Sequence, residues 1–304
     1  MAEESIGHGQ SKGSSKGPTG TSEKRNACET VSHSTDEDHD IGTHTPLVTE
    51  LMSSRNKQQK YETDTLSRNS APQSNHSKSS HGARHGAREG LGAYIARPES
   101  YPADVVIYHN KDFVAIHDMF PKSSLHLLLL PRDQTKTRLH PFDAFEDAEF
   151  LAKVKKEVRI LRKLAAGELR RKFGKDSAQE RERQAALNAH PPPDELPAGR
   201  DWEKEVMCGV HAVPSMNHLH VHIITVDRRS ERLKHRKHYN SFATQFFVPI
   251  DDFPLASDDV RRNPTEEGYL RRDFVCWRCG KEFGNRFVQL KEHLEQEFEE
   301  WKRL

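Results

Sequence analysis

Long apolar runs are missing from this 304-residue chain. None approaches the roughly 18 residues that a membrane-spanning helix needs, so no membrane partner is expected. Met1 is followed by Glu3 and Glu4 with no hydrophobic stretch behind them, so a secretory signal is not expected either. Cysteine is scarce: Cys28 and Cys208 stand alone, and Cys276 and Cys279 form one close pair. Such a set does not make a disulfide framework, and the two-residue gap points to metal in a reducing compartment. Net charge is nearly absent too, with 47 basic against 46 acidic residues. The whole-chain average therefore predicts no polyanion partner, although averages conceal local fields. One such field is the segment 228–238, RRSERLKHRKH, with six Lys or Arg against one Glu.

Aromatic residues are missing from the first third. All fourteen Phe and all three Trp lie beyond residue 112, and Tyr61 is the only aromatic among residues 1–90. With so little apolar surface to bury, that stretch cannot offset the entropy of ordering it, and a disordered tail is expected over 1–88. The low mean hydropathy of -0.88 is thereby assigned mostly to the tail and to a polar insertion.

From Leu91 the texture becomes that of a folded domain, expected over 89–250. LGAYIARP suggests a short helix bearing Leu91, Tyr94 and Ile95, stopped by Pro98. VVIYH (105–109) and FVAIH (113–117) read as a hairpin, and LHLLLLP as a buried strand. Over 143–173 the period changes: Leu151, Val154, Val158 and Leu161 share one helical face, opposite Lys153, Lys156 and Lys163. That basic face suits either phosphate or plain solvent. Residues 174–200, with three consecutive prolines, read as a flexible insertion. Two β-type runs follow, VMCGVHAVP and HLHVHIITVD, then FFVPI as a last short strand. A polar linker (251–272) leads to a small separate module over 273–304 with a helical final third.

HLHVHII carries the most chemistry. In a strand, His218, His220 and His222 share one face while Leu219, Val221 and Ile223 point into a core. Neutral imidazole can attack phosphorus, and charged imidazole can bind phosphate or transfer a proton. The triplet alone also leaves open a metal site, and less readily an exposed strand face without chemistry. Cys208 reads as a small buried apolar residue. In the last module Cys276, Cys279 and, after thirteen residues, His293 have zinc-finger spacing. No second His follows at the usual distance. Glu297 lies one helical turn after His293 and offers a carboxylate ligand instead.

HLHVHII resembles the signature of the histidine triad superfamily of nucleotidyl hydrolases and transferases, and IHDMFPKSSLHLLLLP resembles its upstream nucleotide-binding segment. GVHAVPSMNHLHVHIIT, LKHRKHYNSF and CWRCGKEF with LKEHLEQEFEEW are similar to the aprataxin branch, over about residues 91–304. The resemblance implies an α+β fold, an antiparallel sheet with flanking helices, followed by a small zinc finger. It implies a DNA 5'-adenylate hydrolase, with double-stranded DNA carrying adenylated 5' ends at nicks or breaks as substrate and AMP as product. His220 would be the nucleophile, with His218 and His222 around the phosphate, His126 behind them and His211 at the developing charge. Asp118, Lys122, Ser215 and Met216 would bind the substrate, Asp118 through the ribose. One structural Zn2+ would sit on Cys276, Cys279, His293 and Glu297, with no metal needed for hydrolysis. Tyr94, Lys234, Lys237, His238, Ser241, Arg278 and Lys281 would meet DNA, Tyr94 as a wedge on the terminal base pair. The bland counterpart for Tyr94 is a helix packed on the core. No counterpart of the forkhead-associated domain of some animal members is seen in the sequence. A nuclear location follows from that function. Two other functions fit the residues: a general nucleoside phosphoramidase, and a non-catalytic DNA-binding zinc protein. Activity on a free nucleotide substrate is expected not to depend on the finger. Activity on 3'-guanylated ends is left open.

Overall fold

The structure is a computed structural model that describes residues 88–304. The tail expected over 1–88 lies, apart from Arg88, outside the described residues. Among them no helix is long and apolar enough to cross a membrane.

Six strands form one antiparallel sheet: β1 (Val106–His109), β2 (Phe113–His117), β3 (His126–Pro131), β4 (Val206–His211), β5 (Val221–Thr225) and β6 (Phe247–Pro249). Their order is β1-β2-β3-β5-β4-β6. The hairpin, the buried strand, the pairing of the two later β runs and the last short strand are all present as read from the sequence. β2 and β3 are buried along their whole length, which is why they read as continuous apolar runs. The period of two still divides them: Phe113, Ala115, Leu127 and Leu129 enter the main core, and Val114, Ile116, Leu128 and Leu130 enter a smaller core on the other face.

The same alternation positions the histidines. His222 pairs with Leu128 on one side and Gly209 on the other, so its side chain stands on the small-core face. His126 in β3 and His211 in β4 have the matching parity. Gly209 lets β6 approach β4: a Cβ there would lie 2.3 Å from the Val248 carbonyl oxygen and 2.8 Å from the Phe247 ring. The triplet itself departs from a single strand. β5 begins at Val221, so His218 and His220 precede it and the expected one-face stack of three rings does not form.

The main core is closed by α3 (Ala148–Phe173), after the short α1 (Gly92–Ala96) and α2 (Pro141–Ala144). Asp147 caps α3 by accepting from the backbone N–H groups of Glu149 and Phe150. Leu151, Val154, Val158 and Leu161 are buried against the sheet, as their spacing predicts. Lys153 and Lys163 are exposed, and Lys153 pairs with Glu149 one turn earlier.

The region 174–200 differs from a flexible insertion. Ser177 caps a second helix, α4 (Ala178–Leu187), and also donates to the Leu304 carbonyl at 2.8 Å. The triple-proline stretch had hidden this helix, because its own apolar pattern is weak and its contacts are polar. The Trp202 indole donates to Glu180, and the Trp301 indole to Glu205. Arg200 lies between the two indoles, 4.3 and 4.8 Å from their ring centres, and donates to Glu205 and to the Trp301 carbonyl.

Nor is the C-terminal part a separate module. It comprises α5 (Arg236–Ala243), the hairpin β7 (Phe274–Val275) and β8 (Glu282–Gly284), and α6 (Phe287–Arg303). Leu290 and Leu294 of α6 pack with Phe274, Phe283 and Cys276, whereas Phe298 and Trp301 enter the main core. One helical stripe thus serves two clusters. The linker 251–272 is likewise anchored, by buried Phe253, Leu255 and Tyr269.

Candidate active site and metal centre

Four histidines converge at the small-core face of the sheet. The His222 ring lies 4.8 Å from that of His220, 5.1 Å from His126 and 4.5 Å from His211. Phe242 of α5 stands near all three of His126, His211 and His222, edge-on to the first and last. Phe242 was not foreseen from the sequence; the only signal was an aromatic four residues beyond the basic run. His126, His220 and His222 are buried and His211 is half-buried, and burial pushes each pKa down, His126 to about 4. At neutral pH the cluster is therefore uncharged, the state in which imidazole can act as a nucleophile.

Hydrogen-bond partners assign the tautomers. A carbonyl can only accept, so His220 donates Nδ1–H to the His218 carbonyl at 2.8 Å and keeps the Nε2 lone pair bare. The Lys122 backbone N–H donates to His126 Nδ1 at 3.3 Å. The His126 proton is then on Nε2 and is given to His222 Nδ1 at 2.9 Å. His222 in turn carries its proton on Nε2. That nitrogen and His211 Nε2 are buried without a protein partner, as expected of groups held for a ligand. The cluster thus presents a lone pair on His220 and a donor on His222.

These groups open into a cavity of about 960 Å3. Its lining brings together Asp118, Lys122, His126, His211, Ser215, Met216, His220 and His222, all candidates from the sequence. Lys122 is partly enclosed, and burial lowers its pKa against the opposing pull of Asp118. Asp118 Oδ1 accepts the Phe120 backbone N–H, and Oδ2 lies 3.4 Å from His126 Nδ1. Asp118, His126 and His222 have donor atoms within 4.8 Å of one another. His126 Nε2 and His222 Nδ1 are engaged with each other and His126 Nδ1 accepts from Lys122, so the trio is not an open ligand set. His218 is not part of the lining; its ring lies beneath α1, against Gly92.

The DNA candidates divide. Lys237, His238 and Ser241 of α5 line the cavity beside the histidines, and Lys234 is exposed outside the lining. Tyr94 also lines it, but its ring packs on Tyr101 with centroids 4.6 Å apart, and Leu91 and Ile95 are buried. α1 is therefore a core-packed helix whose one aromatic faces the cavity. Lys281 is exposed and lies 5.5 Å from the Phe283 ring.

Arg278 is engaged elsewhere. The Sγ, imidazole and carboxylate atoms of Cys276, Cys279, His293 and Glu297 lie within 4.8 Å of one another. Cys279 Sγ is 3.1 Å from His293 Nε2, which is 3.0 Å from Glu297 Oε1. Two thiols, an imidazole and a carboxylate are a competent donor set for zinc, and they lie close enough together to share an ion. Arg278 donates to the other oxygen of Glu297 and to Glu300. Its charge is thus engaged with two carboxylates, one of them a candidate metal ligand. Arg278→Ala is expected to weaken zinc retention by roughly tenfold to a hundredfold, measured as the rate of metal transfer to a chromophoric chelator.

A HIT domain matches residues 100–229, and a C2HE / C2H2 / C2HC zinc-binding finger matches 243–300. Among curated proteins, the chain is 36% identical to an aprataxin-like protein of Schizosaccharomyces pombe, over 70% of this chain and 82% of that one. It is 37% identical to an aprataxin-like protein of Saccharomyces cerevisiae, over 69% of this chain and 95% of that one. Among solved structures, the aprataxin ortholog Hnt3 in complex with DNA aligns with a TM-score of 0.55 and 34% identity, covering 71% of this chain and 96% of that one. With the histidine cluster, the HIT match and a zinc-finger match that includes all four candidate ligands, the chain belongs to the aprataxin-like family of histidine triad proteins.

Proposed function

We propose that the protein is a DNA-repair hydrolase that removes AMP from adenylated 5' ends at strand breaks. The observation that carries this reading is the His220 tautomer: a buried, uncharged imidazole with Nδ1–H fixed and Nε2 bare, at the wall of a cavity lined by Lys122, Ser215 and the His222 donor. His220 Nε2 attacks the α-phosphorus, the P–N bond forms, and the bond to the DNA 5'-phosphate oxygen breaks. His222 Nε2–H and Lys122 stabilise the equatorial oxygens, and Asp118 holds the ribose hydroxyls. Water then attacks the same phosphorus, the P–N bond breaks and AMP leaves. Splitting one displacement into two in this way needs no metal at the phosphate.

DNA as the carrier of the adenylate is supported by the relative crystallised with DNA and by the basic side of the cavity, where Lys237 and His238 sit. Phosphate contacts from such side chains position an end without reading sequence, which suits damage at arbitrary places. A nuclear location follows from that substrate. Hydrolysis of an adenylated nick and of a free adenosine phosphoramidate should be compared over a range of salt. kcat/KM is expected to be higher on the nick and to fall steeply with salt there alone. Equal, salt-insensitive values would make the protein a general phosphoramidase instead.

A further inference from the structure

The first histidine of the triplet does not face the cavity, yet the nucleophile depends on it, because His220 donates Nδ1–H to the His218 carbonyl. What holds His218 in place is a cluster built around Glu89, just before α1. Glu89 Oε1 accepts from Asn217 Nδ2, and both Glu89 oxygens accept from the Arg138 guanidinium, at 3.2 and 2.8 Å. Glu89 Oε2 also lies 3.8 Å from His218 Nε2. The backbone repeats the connection: Asn217 N–H donates to the Arg88 carbonyl at 3.0 Å, and Leu219 N–H to the Thr137 carbonyl at 2.7 Å. Residues 217–219 are thus clamped between the segment leading into α1 and the 133–139 turn. Above the clamp, Gly92 lies directly on the His218 ring; a Cβ there would come within 2.9 Å of Cε1 and Nε2.

We propose that Glu89 is a positioning residue for the nucleophile. Through Asn217 and His218 it fixes the carbonyl that keeps the His220 proton on Nδ1 and the Nε2 lone pair free. The proposal rests on the reading of His220 as nucleophile. It adds that α1, whose Tyr94 lines the cavity beside the preceding Leu91, and the nucleophile share one support, so that a substrate seated against α1 also tightens the acceptor behind His220.

Glu89→Ala and Glu89→Gln test it in the full chain. Glu89 is half exposed and outside the main core, so both variants are expected to fold. In Glu89→Ala, nitrogen NMR of the imidazoles should show the His220 proton redistributed from Nδ1 toward Nε2. kcat should fall roughly tenfold to a hundredfold on both an adenylated nick and a free adenosine phosphoramidate, with KM for the small substrate unchanged. Glu89→Gln keeps an acceptor oxygen for Asn217 and should restore most of both. An unmoved tautomer, or a loss confined to KM for DNA, overturns the proposal. Absence of hydrolysis in the unaltered protein would instead overturn the functional reading, while the NMR result would still decide the role of Glu89.

Discussion

Replacing His220 with alanine should lower AMP release from an adenylated nick by about 10^4-fold or more, while affinity for the same DNA changes little. The asymmetry follows from where the groups lie. His220 is buried and supplies the attacking lone pair, whereas His222 carries its proton on Nε2 and His126 Nε2 is committed to His222. The basic side chains suited to phosphates are on α5 and the exposed loop before it, and are not altered by the substitution. His222→Ala should cost less, about 10^2 to 10^3-fold, because it removes a donor to the developing charge and leaves the nucleophile in place. Single-turnover rates on one labelled nick, with binding measured by anisotropy, check both values. A His220→Ala protein with more than a tenth of the original turnover would contradict the assignment.

The second large effect concerns zinc. Chelation is expected to lower the Tm strongly and to abolish DNA binding, since structural zinc sites contribute on the order of 10 kcal/mol to folding. It should also depress hydrolysis of a substrate without DNA, contrary to what sequence reasoning suggests. The reason is α5. The Tyr239 hydroxyl donates to the Val275 carbonyl at 2.8 Å and accepts from the Trp277 backbone N–H at 3.1 Å, so it is bonded on both sides of ligand Cys276. Three residues on, Phe242 packs against His126, His211 and His222. Arg228 closes the loop: its backbone N–H donates to Ser123, one residue after Lys122, and its guanidinium donates to the Phe242 carbonyl and lies 5.7 Å from the Trp277 ring. Loss of the knuckle should therefore loosen the wall of the catalytic cavity. Phosphoramidate hydrolysis before and after chelation, with recovery on adding zinc back, measures this. Unchanged turnover of the small substrate would show that the C-terminal part serves DNA alone.

The sheet was legible because its strands carry simple signals: β-rich runs bounded by turns, and LHLLLLP too apolar to be anything but buried. The cavity residues were legible through resemblance, and the candidate zinc ligands largely through spacing, with Glu297 one turn from His293 and in contact with it. Three features were not. α4 was obscured because its hold on the rest is polar, through Glu180 and Ser177, and neither leaves an apolar period. The His218 ring was expected beside the other two on strand alternation, but residues 217–219 lie before β5 and are held by Arg88, Glu89 and Thr137. Arg278 was counted as a free cation because its partners, Glu297 and Glu300, are separated from it by the turn, β8 and most of α6. In each case a long-range contact decided what a local pattern could not.

The most direct test is to trap the protein during turnover on a nick whose adenylate carries labelled phosphorus, and to map the label. The account predicts one acid-labile phosphoramidate on His220, formed and discharged fast enough to lie on the path to AMP, and absent from His220→Ala. Label on another residue, or full turnover with no covalent adduct at any time, would contradict it.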